Sequence, residues 1–92
     1  MATVEWTVLA MGDLVGIVDY ISDDNPQAAQ RLKDEVVRKV ARLAEQPKLY
    51  RRGREVGTRE MTVQPNYVII YREQDAKVRI LRVLHAARQW PE

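Results

Sequence analysis

The sequence has no cysteine and a single histidine, His85. No disulfide can staple it, no thiolate can serve as a nucleophile, and a structural zinc site lacks its usual ligands. The N-terminus does not show the basic-then-apolar layout of a secretion signal. No apolar run approaches the roughly 20 residues of a transmembrane helix. These absences imply a cytoplasmic protein with no membrane association, no metal and no cofactor. No repeat, low-complexity run or compositional break divides the chain, so residues 1–92 are read as one domain. A domain of this size can bury roughly 60–65% of its unfolded surface. Its margin of stability is thin, and a partner that covers apolar surface would help.

Lysine is also scarce late in the chain: Lys77 is the only one after Lys48. Arginine supplies the charge there instead. Residues 1–47 carry five Lys or Arg against eight Asp or Glu, and residues 48–92 carry ten against five. The second half is therefore basic and the first acidic. A basic half suggests an anionic partner, either nucleic acid or an acidic protein segment. Charged residues that protect sheet edges give the same composition.

The second half also holds the best strand signals. Residues 59–63 alternate, with Met61 and Val63 on one face and Glu60 and Thr62 on the other. Gln64-Pro65-Asn66 breaks the pattern. Residues 67–71 are β-branched and aromatic throughout, which predicts a strand covered on both faces. After the polar turn at residues 73–76, residues 78–84 form the last strand. Alternation puts Val78, Ile80 and Leu84 on one face, and Leu81 and Val83 on the other. Connections this short predict an antiparallel meander, since parallel strands need a long crossover. The tail from His85 onward is too short for a stable helix.

The first half supplies the cover. Residues 3–7 alternate as a short strand, and Thr7 can cap a helix. Leu9, Leu14, Ile17, Val18 and Ile21 recur at mostly helical spacing, with Asp13 and Asp19 off the stripe. Gly12 and Gly16 each weaken that helix by about 1 kcal/mol, so packing must hold it. Asn25 caps a second helix and Pro26 takes its first position. Its stripe is Ala29, Leu32, Val36, Val40 and Leu43, ending at Gln46-Pro47. The short loop makes the two helices an antiparallel hairpin. The expected fold is α+β: an N-terminal strand and helical hairpin on one face of a mainly antiparallel sheet of about four strands.

This order of elements resembles the RelE/ParE superfamily of bacterial toxins. The likeness runs through Asp13-Leu14, Ile17, Tyr20-Ile21, Asn25-Pro26, Ala28-Ala29, Leu43 and Pro47. It continues through Gly57-Thr58-Arg59-Glu60, Pro65-Asn66-Tyr67, Tyr71-Arg72, Leu84-His85, Arg88-Gln89 and Pro91. The Arg59-Glu60, Pro65-Asn66-Tyr67 and Tyr71-Arg72 set is more similar to the ParE branch. That resemblance implies growth arrest by inhibition of DNA gyrase, neutralisation by a cognate ParD-like antitoxin and a toxin–antitoxin hetero-oligomer. The RelE branch implies the alternative, a metal-independent endonuclease cutting mRNA on the ribosome.

Each branch makes different residues matter. A nuclease must move protons and neutralise a pentavalent phosphate, and Arg59, Arg82, His85 and Arg88 are the available set. The lysine-rich catalytic pattern of RelE itself is absent. A gyrase inhibitor needs no chemistry, only a target-binding surface, for which Arg59, Arg72, His85, Arg88 and Trp90 are the candidates. For Arg79, simple cross-strand pairing with Glu60 or Glu73 is the favoured reading. Tyr67 and Tyr71 share a strand face, and core packing with the hydroxyls at the rim is favoured over base stacking. Trp90 fits two roles, an interface anchor or a latch that folds the tail onto the sheet.

Overall fold

One residue, Asn25, both closes α1 (Val8–Asp24) and opens α2 (Pro26–Glu45). Its N–H donates to the Ile21 carbonyl at 2.8 Å, and its Oδ1 accepts from the Ala28 N–H at 3.1 Å. Thr7 caps α1 in the same way, accepting from Ala10 N–H at 3.1 Å. The computed structural model describes residues 2–64, 66–88 and 90. Pro65 of the expected turn and Gln89, Pro91 and Glu92 of the tail lie outside the described residues.

The hairpin lies on one face of a five-stranded sheet. The strands are β1 (Thr3–Trp6), β2 (Arg51–Arg52), β3 (Arg59–Val63), β4 (Tyr67–Gln74) and β5 (Lys77–His85). Their order is β1-β5-β4-β3-β2; β1 runs parallel to β5 and the other pairs are antiparallel. The strand beyond the expected four is β2, two residues of the basic connection that pair with Arg59 and Glu60.

Helix α2 buries the predicted stripe: Ala29, Leu32, Val36 and Leu43 are sealed and Val40 is half-buried. Helix α1 keeps Leu14, Ile17 and Ile21 of its predicted stripe, but Leu9 is exposed and Val18 is half-buried outside the core cluster. The Thr7 cap sets its phase so that Ala10, Leu14, Ile17 and Ile21 face inward. Leu9, one residue from Ala10, is turned about 100° away and is 64% exposed. Val8, Met11, Val15 and Tyr20 are exposed as well, leaving an apolar outer stripe on α1.

The inward residues meet Met61, Val63, Ile69, Tyr71, Val78, Ile80 and Val83, the main core. Val68, Ile70 and Leu84 form a smaller cluster on the other face, under Leu81, Ala86 and Trp90. Val83 and Leu84 have thus exchanged the faces that strict alternation assigned them. The cause is a bulge in β5: Ile70 pairs with Arg82 but Tyr71 pairs with Ile80, so Leu81 is the extra residue. Between β4 and β5, Asp75 and Ala76 form a two-residue turn with φ of 55° and 61°, the geometry that hairpin twist demands. Tyr71 is sealed in the core with its hydroxyl donating to the Pro47 carbonyl at 2.7 Å. Burial pushes its pKa up to about 12, although the nearby Arg59 charge opposes the rise.

Candidate functional site

Strand β1 is too short to cover all of β5. Its last pair is Trp6 with Ile80, which leaves the remainder of β5 with an open edge. Helix α1 closes it. Thr7 N–H donates to the Ile80 carbonyl at 3.1 Å, and Thr7 Oγ1 donates to the Leu81 carbonyl at 3.1 Å. Six residues later, Asp13 Oδ2 accepts the Val83 N–H at 3.0 Å. The same carboxylate is gripped by both arms of the Arg82 fork, at 2.7 and 3.0 Å. Asp13 therefore stands in for a strand neighbour, and Arg82 is committed to holding it.

This junction shapes a groove of about 440 Å³ between α1 and the ends of β4 and β5. Gly12, Gly16 and Tyr20 line its helix side, and Tyr67, His85 and Arg88 line its sheet side. A Cβ built on either glycine would meet nothing within 4 Å. The glycines leave that wall of the groove bare of side chains where they stand. His85 stands edge-on to Tyr67, with ring centres 5.6 Å apart. Its Nδ1 accepts the Ala87 N–H at 3.1 Å, which puts the proton of the neutral ring on Nε2. The groove thus offers aromatic and apolar walls, an imidazole donor and the exposed Arg88.

A second network anchors the tail on the opposite face. Glu60 is only 4% exposed. Its carboxylate pairs with Arg51 at 3.2 Å and Arg54 Nε at 3.1 Å, and accepts the Arg54 N–H at 2.9 Å. Arg54 also donates to the Arg88 carbonyl at 2.8 Å and the Ala86 carbonyl at 3.4 Å. Trp90 packs on the cluster of Val68, Ile70 and Leu84. That is the contact a latch would make, and Trp90 remains partly exposed.

The expected site residues scatter. Arg59 donates to the Tyr50 carbonyl at 2.7 Å and the Lys48 carbonyl at 3.3 Å, bracing the loop after α2. It pairs in register with Tyr71, whereas His85 pairs with Tyr67. Four strand residues, about 13 Å, separate those levels. Arg82 is bound to Asp13. Only His85 and Arg88 come together. Arg72 is exposed on the tail face, opposite Arg79. Glu60 pairs with Arg51 and Arg54, and among the described residues Arg79 makes no ion pair with Glu60 or Glu73. The groove residues missed in the sequence are Gly12, Gly16 and Tyr20. Their recurrence every four residues, with no apolar packing duty, was the available signal. Among the described residues, no His, Asp or Glu cluster could hold a metal, and no helix is long and apolar enough to cross a membrane.

The family model described as ParE toxin of type II toxin–antitoxin system, parDE, matches residues 4–90. The chain is 44% identical over 90 residues to Toxin RelE2 of Caulobacter vibrioides, covering 96% of this chain and 99% of the relative. It is 40% identical over 90 residues to Putative toxin Y4kP of Sinorhizobium fredii, covering 97% and 93%. Among solved structures, it is similar to a chain of the chromosomal ParDE system from P. aeruginosa. The TM-score there is 0.80 at 24% identity, over 92% of this chain and 96% of that one. It is also similar to a chain of the RelBE2 toxin–antitoxin complex from Mycobacterium tuberculosis, with a TM-score of 0.60 at 25% identity, over 91% and 96%. The chain belongs to the ParE toxin family of type II toxin–antitoxin systems.

Proposed function

We propose that this toxin acts in the cytoplasm by binding DNA gyrase, without chemistry of its own, and that a ParD-like antitoxin neutralises it in a hetero-oligomer. The observation that carries the reading is the dispersal of the four residues a nuclease would need. Arg82 is committed to Asp13, and Arg59 braces carbonyls about 13 Å along the sheet from the His85 level. A general acid or base must stand within hydrogen-bond reach of its proton, with charge stabilisers converging on the same phosphate. Only His85 and Arg88 share a site here.

A binding surface needs none of that convergence. We assign target contact to the groove, with His85 and Arg88 on one wall and the exposed Tyr20 on the other. Large exposed aromatics carry much of the energy of protein interfaces. Arg59 and Trp90 serve this surface indirectly, by holding the loop and the tail. Growth arrest by three variants tests the assignment, once each is shown to fold and bind antitoxin. His85→Gln should still arrest growth, while Tyr20→Ala and Arg88→Ala should weaken arrest at least tenfold. Arrest abolished by His85→Gln alone, with the other two intact, would turn the reading toward a ribosome-dependent cut of mRNA.

A further inference from the structure

Arg72 on β4 and Arg79 on β5 are direct cross-strand partners. Residues paired this way point to the same face, with Cβ atoms about 4.5–5.5 Å apart, and like charges so placed destabilise a sheet. The face is the one away from the helices, since their neighbours Tyr71, Val78 and Ile80 point into the main core. Both arginines are exposed, and neither side chain makes a hydrogen bond or ion pair with a described residue. The other candidate arginines each have an interaction: Arg59 with carbonyls, Arg82 with Asp13, and Arg88 as well. Arg72 leans over Gly57, within 4 Å of where a Cβ would stand. A cleft of about 470 Å³ is lined by both arginines together with Leu81, Glu5, Gln74, Asp75 and Lys77.

A like-charge pair with no partner among the described residues costs the sheet stability. It is explained if an anion from outside completes it. We infer that Arg72 and Arg79 form a two-pronged socket for a carboxylate side chain of the antitoxin. This rests on the reading of the chain as a toxin held by an antitoxin. A carboxylate offers two oxygens and about four lone pairs, enough to accept from two guanidinium forks at once. Leu81 gives the segment around it an apolar seat. The surroundings favour a single carboxylate over a nucleic-acid backbone. A phosphate track needs a run of cations, whereas here Glu5 and Asp75 line the cleft and Glu5 already pairs with Lys77 at 3.8 Å.

The test is calorimetric titration of the full-length toxin with the antitoxin encoded by its neighbouring gene, at low and moderate salt. Arg72→Gln and Arg79→Gln should each weaken binding about tenfold, and the double variant up to a hundredfold, with a flatter salt dependence. The double variant should melt no lower than the wild type, because the mutual repulsion is gone. Unchanged affinity in the double variant, with wild-type toxin still binding, would overturn the socket and leave the family reading intact. Wild-type toxin that does not bind this antitoxin at all would overturn the underlying reading instead. A lower melting temperature would mean that the pair supports the sheet, and would overturn the assignment. So would intact antitoxin affinity coupled to lost growth arrest, which would give the socket to the toxin's target.

Discussion

Replacing Asp13 by alanine removes the group that closes the open edge of β5. The carboxylate takes two bonds from Arg82 and one from the Val83 N–H. Stripping one partner from a buried ion pair costs about 3–5 kcal/mol, and leaving a buried N–H unsatisfied costs about 1–3 kcal/mol. The two side chains keep 17% and 14% of their exposure, so water recovers part of both losses. The expected cost is therefore about 2–4 kcal/mol. A domain of this length has about 5–14 kcal/mol in total, so the variant should remain folded but lose roughly 1–2 M from its urea midpoint. Asp13→Asn keeps an acceptor for Val83 and should lose about half as much. The double variant Asp13→Leu with Arg82→Met should recover most of the loss, since apolar replacement of a whole pair is often neutral. The measurement is urea unfolding of the wild type, Asp13→Leu, Arg82→Met and their double variant as a double-mutant cycle, with Asp13→Ala and Asp13→Asn beside it. A loss under about 0.5 kcal/mol for Asp13→Ala, or strictly additive single variants, would refute the edge-closing role.

Three further outcomes concern Tyr71, Ala76 and Glu60. The Tyr71 pKa is raised from 10 to about 12 by burial, so the neutral phenol is favoured in the folded state. That stabilisation is complete below pH 10 and is lost as pH climbs from 10 to 12; Tyr71→Phe should lose about 1 kcal/mol at neutral pH with the Pro47 bond and flatten the alkaline unfolding curve. Ala76 holds a φ of 61°, a conformation costing an L-residue about 1–2 kcal/mol, so Ala76→Gly should raise the melting temperature by several degrees. Glu60→Ala leaves Arg51 and Arg54 without their anion and loosens the hold on the tail carbonyls; because those arginines keep 63% and 32% of their exposure, a loss of about 1–3 kcal/mol in urea unfolding is expected, with earlier proteolysis beyond Ala86.

Much of the fold was legible because it depends on local signals. Asn25-Pro26 marks the helical turn, the stripe of α2 marks its buried face, and the apolar run of β4 marks a strand covered on both sides. The β5 bulge was not legible. Leu81, Arg82, Val83 and Leu84 contain no glycine or turn residue to announce it, and only pairing with β4 reveals the skipped position. Asp13 and Arg82 stand 69 residues apart, and each alone looks like a solvent-facing charge. Glu60 sits on the polar side of an alternating strand, and its burial against Arg51 and Arg54 depends on how the preceding loop folds. The Arg72–Arg79 pair depends on register, which alternation cannot supply. His85 and Arg88 were visible as chemistry-bearing residues, but the glycine-lined wall opposite them appears only once α1 is set against β5.

The central claim is that this toxin arrests growth by binding and not by cutting RNA. The most direct measurement incubates the purified protein with DNA gyrase and supercoiled plasmid and scores gyrase-linked DNA breaks, beside a reconstituted translation reaction scored for cleaved mRNA. The account predicts accumulated breaks that disappear when antitoxin is added, with the mRNA left whole. Cleaved mRNA on the ribosome, with gyrase turning over normally, would contradict it.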